Sequence, residues 1–281
     1  MSLILGRWDM MVGEGATAYP SWVEIKPDGG QFVGKVGSAR PLKQVEIDGS
    51  SVTFSLPPQY ESRKDDLIFR GEFVDGILSG TTTLEDGKES IWFARMAPEL
   101  PHFSPKWGEP IELIQSDLTN WTERSPDWVS HWSIKDGMLD NAEAGSDLIT
   151  VDAFMNFKLI AEYRYPPKSN SGIYLRGRYE FQILDDFEGQ PNGVGNSSAI
   201  YGFIAPRVNT IHPPNEWNTA EITLLGRYVT VVLNGETVID QQEIPGITGG
   251  ALDSNEGAPG RLFVQGDHGP VTFRRLTLYP A

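Results

Sequence analysis

Residues 168–186 read KSNSGIYLRGRYEFQILDD, and the alternation within them decides the fold. At a strand period of two, Ile173 and Leu175 point one way while Tyr174 and Arg176 point the other. Beyond Gly177 the pattern resumes, with Phe181 and Ile183 on the apolar side and Glu180 and Gln182 on the polar one. One face therefore has the residues of a sandwich core. The opposite face sets an aromatic ring beside a guanidinium, a carboxylate and an amide. A solvated strand with one weak Arg–Glu pair would read this way. So would a sugar-binding groove, where a flat apolar platform lies beside planar hydrogen-bonding forks. Composition alone leaves both readings open.

Outward from this stretch the texture stays β. In residues 1–98 the candidate strands are 7–12, 21–26, 31–36, 42–47, 51–56, 66–73, 77–84 and 90–96, separated by Pro27-Asp28-Gly29-Gly30, Asp48-Gly49, Asp75-Gly76 and Asp86-Gly87. Short strands joined by tight turns predict an antiparallel meander, closed as a small barrel or curled into a sandwich. Trp8, Trp22 and Trp92 are expected in its core or at its ends. Residues 99–106, with Pro101 and Pro105, read as an extended proline-rich linker. From residue 107 strands continue, through a hairpin at 134–139 and a strand at 154–165. A polar, glycine-rich loop at 187–198 is of the kind that borders a site. A long hairpin follows at 218–233, and the chain closes on strands at 261–265 and 271–278. No stretch has the pattern of a long amphipathic helix. The expected organisation is a small β domain over 1–98, a linker over 99–106 and a two-sheet β-sandwich over 107–281.

The 281 residues include 23 Lys and Arg against 38 Asp and Glu, a net charge of −15. Residues 1–100 hold 10 basic and 15 acidic side chains, and the remainder 13 and 23. With both portions acidic and no basic stripe, nucleic acid and anionic membranes are not expected partners. No apolar run approaches a membrane span. The absence of cysteine removes disulfides, thiolate metal sites and cysteine nucleophiles. A periplasmic or secreted location is expected, with the cytoplasm left open, because no signal-peptide apolar core follows Met1 and cysteine-free chains occur in both settings.

Chemistry narrows to carboxylates. His102, His131, His212 and His268 lack zinc spacing, and no calcium loop is present. A divalent ion held between separate loops stays open. There is no G-x-S-x-G elbow and no phosphate-binding lysine loop. Glu180 is the leading candidate, Asp185 follows at the strand end, and Asp267-His268 sits in a turn flanked by glycines. That pair would also suit an ordinary turn capping its own backbone. A double-displacement glucanase strand alternates two Glu and one Asp on one face. Here the same face reads Glu180, Gln182, Leu184, so ordinary two-carboxylate hydrolysis is disfavoured.

The run Asn170-Ser171-Gly172-Ile173-Tyr174-Leu175-Arg176-Gly177, followed by Tyr179-Glu180-Phe181-Gln182-Ile183-Leu184-Asp185, resembles the signature of the 3-keto-disaccharide hydrolase family. Ala199-Ile200-Tyr201-Gly202, Glu216-Trp217-Asn218-Thr219, Val232-Leu233-Asn234-Gly235 and Gln265-Gly266-Asp267-His268-Gly269 follow in the family's order. The resemblance covers residues 107–281 and implies a concanavalin A-like lectin/glucanase jelly roll. It implies a carbohydrate partner, a glycoside already oxidised at C3. A C3 ketone acidifies the C2 proton, so one base can remove it and the aglycone leaves from C1 before water adds back. On the matching positions Glu180 or His268 would be the base and Arg176 the enolate stabiliser. Tyr174, Arg178, Gln182, Asp185, Tyr201, Trp217, Gln265 and Asp267 would hold the sugar. The resemblance leaves room for a divalent ion as enolate stabiliser, and for a second reading, a non-catalytic lectin-like module on the same sandwich.

Overall fold

Tight turns and short alternating strands give the first architecture in a computed structural model that describes residues 3–84, 86–189 and 193–281. Residues 190–192 of the expected 187–198 loop lie outside the described residues. The strands are β1 (Gly6–Val12), β2 (Tyr19–Lys26), β3 (Gly29–Val33), β4 (Arg40–Pro41), β5 (Gln44–Asp48), β6 (Ser51–Leu56), β7 (Leu67–Val74), β8 (Ile77–Thr83) and β9 (Glu89–Met96). They form one sheet in the order β4-β3-β2-β1-β9-β8-β7-β6-β5. β4 and β5 hold opposite edges of that sheet, yet only residues 42 and 43 separate them. Three Cα steps reach at most about 11 Å, so the edges must meet and the meander closes into a barrel. The seam is held by Leu42 N–H donating to Gly30 O and Lys43 N–H to Ser55 O. Phe32, Phe54, Phe69 and Trp92 fill the interior, with Phe54 and Phe69 stacked at 4.9 Å.

Two features of this unit depart from the sequence reading. The segment Pro245–Gly257 belongs to it, not to the sandwich. It is tied there by Gly250 N–H to Lys35 O and Glu256 N–H to Asp9 Oδ2. Trp8 and Trp92 are interior, but Trp22 pairs with Asp9 on the outer wall and is absent from the interior cluster. A Cβ on Gly246 would come within 2.2 Å of the Trp22 ring, so only glycine lets this segment seal it.

The second unit comprises Leu100–Ile244 and Ala258–Ala281. Its strands are β10 (Ile111–Glu112), β11 (Trp121–Glu123), β12 (Trp132–Lys135), β13 (Met138–Asn141), β14 (Leu148–Phe154), β15 (Phe157–Arg164), β16 (Asn170–Leu175), β17 (Tyr179–Leu184), β18 (Asn218–Leu225), β19 (Tyr228–Leu233), β20 (Glu236–Glu243), β21 (Gly260–Val264) and β22 (Val271–Pro280). One sheet runs β12-β13-β22-β15-β18-β19-β20, with β10 added on β22; the other runs β11-β14-β21-β16-β17. The two sheets pack through apolar side chains of opposite origin, with Tyr163 of β15 edge-on to Phe181 of β17 at 6.4 Å. The result is a jelly-roll β-sandwich of concanavalin A-like type, preceded in sequence by the barrel. The start of this unit is no free tether: Arg227 N–H donates to Leu100 O, and the left-handed Gly226 lies against the Leu100 and Pro101 carbonyls.

Candidate functional site

Strand pairing assembles the site on the face of the five-stranded sheet away from the core. Tyr174 faces Glu180 across β16 and β17, Phe263 of β21 faces Tyr174, and Ile149 of β14 faces Phe263. These four make one row of side chains on a single face. One step along, Gly172 faces Gln182, and Gln265 N–H donates to Gly172 O. Asp147 continues this second row beyond Gln265, and Arg124 N–H donates to Asp147 O from the β11 side. Ile173 and Phe181 point the opposite way, into the core, as the alternation predicts.

Glu180 is the centre of this face and is only 4% exposed. Its Oε2 accepts from Tyr174 Oη at 2.9 Å, and the Tyr174 ring stacks on Phe263 at 3.8 Å. The missing side chain of Gly172 makes room for it: a Cβ there would lie 2.8 Å from Glu180 Oε1. Burial pushes the Glu180 carboxyl up to about 8, against the opposing pull of the Tyr174 hydroxyl and the His268 charge. Gln182 and Gln265 flank the glycine, each nearly buried and each with a buried Oε1 that has no hydrogen-bond partner. Unsatisfied buried polar atoms are costly in a native fold. Two of them beside one basic carboxyl mark a place where a polar ligand would complete the bonding.

The Gly266–Gly269 turn brings His268 to the same place. Asn141 Nδ2 donates to Gly266 O at 3.2 Å and to Gly269 O at 2.9 Å. Gly266 packs against Trp132 Nε1 and Ser146 O so closely that a Cβ would clash at 2.5 and 2.6 Å. From below, Asp147 Oδ1 accepts Gly266 N–H at 2.8 Å and Asp267 N–H at 3.3 Å. Asp267 Oδ1 in turn hydrogen-bonds His268 Nδ1. That bond raises the His268 imidazole above its ordinary range, with smaller help from the Asp267, Glu180 and Asp147 charges, while partial burial opposes it. Asp147 itself is raised by burial, although its Oδ2 meets Arg124 Nη1 at 3.1 Å. The Arg124 guanidinium lies over the Phe263 ring at 5.0 Å. Arg124 and Asp147 are the site residues that local sequence pattern did not single out.

The structure brings Glu180, His268, Asp267, Tyr174, Gln182 and Gln265 together and leaves other expected residues apart. Arg176 is the principal correction. It occupies the hairpin tip with φ 54°, beside Gly177 at 69°, which takes its side chain out of the strand alternation. Its guanidinium is fully buried, donating to Tyr179 Oη at 2.9 Å and Gly226 O at 3.0 Å. It is a structural bolt on the core side, and Arg124 is the guanidinium on the site face. Arg178 is likewise buried and donates to Ala258 O at 2.8 Å. Asp185 accepts Lys168 N–H at 2.6 Å, capping the left-handed Lys168 turn. Trp217 lies between Arg164 and Arg274, at 4.9 and 4.5 Å. Those two arginines alternate with core-facing Tyr163 and Phe273, so Trp217 decorates the outer face of the other sheet. Tyr201 N–H donates to Glu180 O at 2.9 Å, which extends the edge of β17 beside the site. As for the divalent ion left open by the sequence, no three His, Asp or Glu side chains among the described residues are grouped as a metal site requires.

Comparison with known proteins bears on the family and the fold. The sequence profile of the 3-keto-alpha-glucoside-1,2-lyase-like domain matches residues 109–279. No curated protein matches the chain. A solved structure from Parabacteroides distasonis, described as a "putative glycosyl hydrolase", is similar at 25% identity and a TM-score of 0.51, over 60% of this chain and 82% of its own. A second of the same description and organism is similar in fold at 19% identity and a TM-score of 0.51, over 61% of this chain and 94% of its own. With the profile spanning more than half of its length, the chain belongs to the 3-keto-alpha-glucoside-1,2-lyase-like domain family.

Proposed function

We propose that this carbohydrate-active protein cleaves 3-keto-glycosides by elimination, with Glu180 as the base and His268 as the acid. The observation that carries the proposal is the pairing of one buried, strongly basic carboxyl with an Asp-held imidazole across a face whose glutamine oxygens are unsatisfied. With a pKa of about 8, Glu180 is ionised in about a tenth of molecules at pH 7. That ionised form is a far stronger base than a solvated carboxylate, and it matches a C–H acidified by a neighbouring ketone. Glu180 takes the C2 proton and the electron pair forms the enolate toward C3. The C1–O bond then breaks, and His268, whose hold on its proton Asp267 strengthens, protonates the departing oxygen. Water adds at C1 as a proton returns to C2, giving net hydrolysis. Tyr174, Gln182 and Gln265 are suited to hold sugar hydroxyls, and Arg124 replaces Arg176 as the cation available to an oxyanion.

The test is hydrolysis of a 3-keto-glucoside in heavy water. Elimination requires deuterium at C2 of the released sugar beyond uncatalysed exchange, and displacement at C1 leaves that position untouched. Glu180→Gln should bind the keto-sugar yet neither exchange nor release aglycone. Exchange that survives in Glu180→Gln and is lost in His268→Asn would make His268 the base. Binding of glycosides with no turnover of keto or unoxidised forms would turn the reading to a lectin-like module.

A further inference from the structure

The barrel has a feature that the glycoside site does not use. At one end a cavity of about 300 Å³ opens to solvent, lined, among the described residues, by those of the barrel strands and their loops. Leu67 and Phe69 of β7 line its inner part, with Tyr19 beside them, and both β7 residues are buried. Val36 and Tyr60 stand at the lip, exposed by 52% and 61%. Tyr60 is placed there deliberately by its neighbour: Glu61 Oε2 accepts both Gln59 N–H at 2.7 Å and Tyr60 N–H at 3.2 Å. Glu61 is in turn clamped by Arg40 through two bonds of 2.7 and 3.0 Å. Its charge is therefore answered within the wall, as Asp86 at the rim is answered by Lys88 at 2.8 Å.

Among the described residues, what remains at the mouth is positive. The Arg63 guanidinium donates to three backbone carbonyls, of Asp65, Thr83 and Asp66, at 3.1, 2.9 and 3.3 Å, none of which carries a formal charge. Among the described residues, neither Arg63 nor Lys35 forms an ion pair with a carboxylate, in a chain whose net charge is −15. An apolar pocket in a barrel mouth is a recurrent small-ligand site, and about 300 Å³ is the low end of that range. We infer that the open end of the barrel binds a small organic monoanion, with its apolar body against Leu67 and Phe69 and its carboxylate between Lys35 and Arg63. Val36 and Tyr60 would cover the ligand's flank. This inference does not depend on the chemistry proposed for the sandwich.

Isothermal titration of the full chain tests it with three probes: octanoate for a chain, 3-phenylpropionate for a ring, and 1-octanol as the uncharged counterpart of octanoate. At least one acid should bind with one-to-one stoichiometry, about tenfold or more tighter than octanol, and should weaken as salt is raised. Which acid binds identifies the body of the ligand. Lys35→Met and Val36→Asp alter exposed rim positions that the fold does not need. Each should weaken acid binding by about 3- to 10-fold while leaving aglycone release unaltered, and Lys35→Met should leave octanol affinity unaltered as well. Absence of saturable binding by either acid would overturn the inference. So would acid binding that is indifferent to both rim variants, because the ligand would then lie elsewhere.

Discussion

Tyr174→Phe isolates one contact that holds the Glu180 carboxyl below the value that burial alone would give it. The variant deletes the hydroxyl that donates to Glu180 Oε2 at 2.9 Å and keeps the ring that stacks on Phe263 at 3.8 Å. A hydrogen bond to an ionised group contributes about 1.5–3 kcal/mol, which at about 1.4 kcal/mol per unit equals about 1–2 pKa units. The bond stabilises the carboxylate, so its loss raises the group further, from about 8 to about 9–10. At pH 7 the ionised fraction then falls by about 10- to 100-fold, and the rate with it. The assay is the pH dependence of kcat/KM on a 3-keto-glucoside, corrected for spontaneous elimination. In the parent protein the rate should climb with pH as Glu180 ionises until His268 loses its proton, and in the variant that rising limb should move alkaline by about one to two units. A limb that stays in place, or moves toward acid, would refute the assignment of Glu180 as the base. A parent rate that only falls with pH, with no rising limb below about pH 8, would remove Glu180 from the role of base.

Three further outcomes follow from the same geometry. Because the folded-state pKa of Glu180 is raised from 4.5 to about 8, its protonated form favours the fold below about pH 4.5 and that stability is lost as pH rises to about 8. Glu180→Gln should therefore be inactive yet more heat-stable, with a Tm advantage that is small at pH 5 and widest near pH 9, corresponding to roughly several kcal/mol at most. Gly172→Ala would put a methyl 2.8 Å from Glu180 Oε1, so kcat should drop by roughly 10²-fold while unfolding by denaturant moves little. Arg176→Met should cost about 3 kcal/mol or more in denaturant unfolding, through the loss of its buried bonds to the Tyr179 hydroxyl and the Gly226 carbonyl. Arg124→Met should instead lower turnover by about 10-fold or more with a smaller stability change.

The local pattern of residues 168–186 revealed half of the site because side-chain direction in a strand is fixed by counting. Tyr174, Glu180 and Gln182 share a face for that reason alone. Counting failed at Arg176, where two consecutive positive φ values interrupt the period and turn the guanidinium toward Tyr179. It could not reach Asp147 or Arg124, since their place depends on the order β11-β14-β21-β16-β17, which joins strands far apart in the chain. Partnership between distant strands leaves no trace in either strand's own alternation. The same limit hid the fate of Pro245–Gly257: polar and glycine-rich, it reads as a loop, and only Trp22 and Asp9, more than two hundred residues earlier, show what it packs against.

That excursion has a consequence for the protein as it is made. Barrel strands end at Met96, but the segment that seals Trp22 and bonds Asp9 is completed only at Gly257. At synthesis rates of roughly 5–20 residues per second, the nascent barrel waits on the order of 8–30 s for its last piece, with the whole of β10–β20 emerging in between. Through that interval the outer wall carries a bare indole. A gene fragment cut after the ninth strand would carry that exposed surface permanently, so the barrel is best obtained with residues 245–257 restored by a short tether to Glu99.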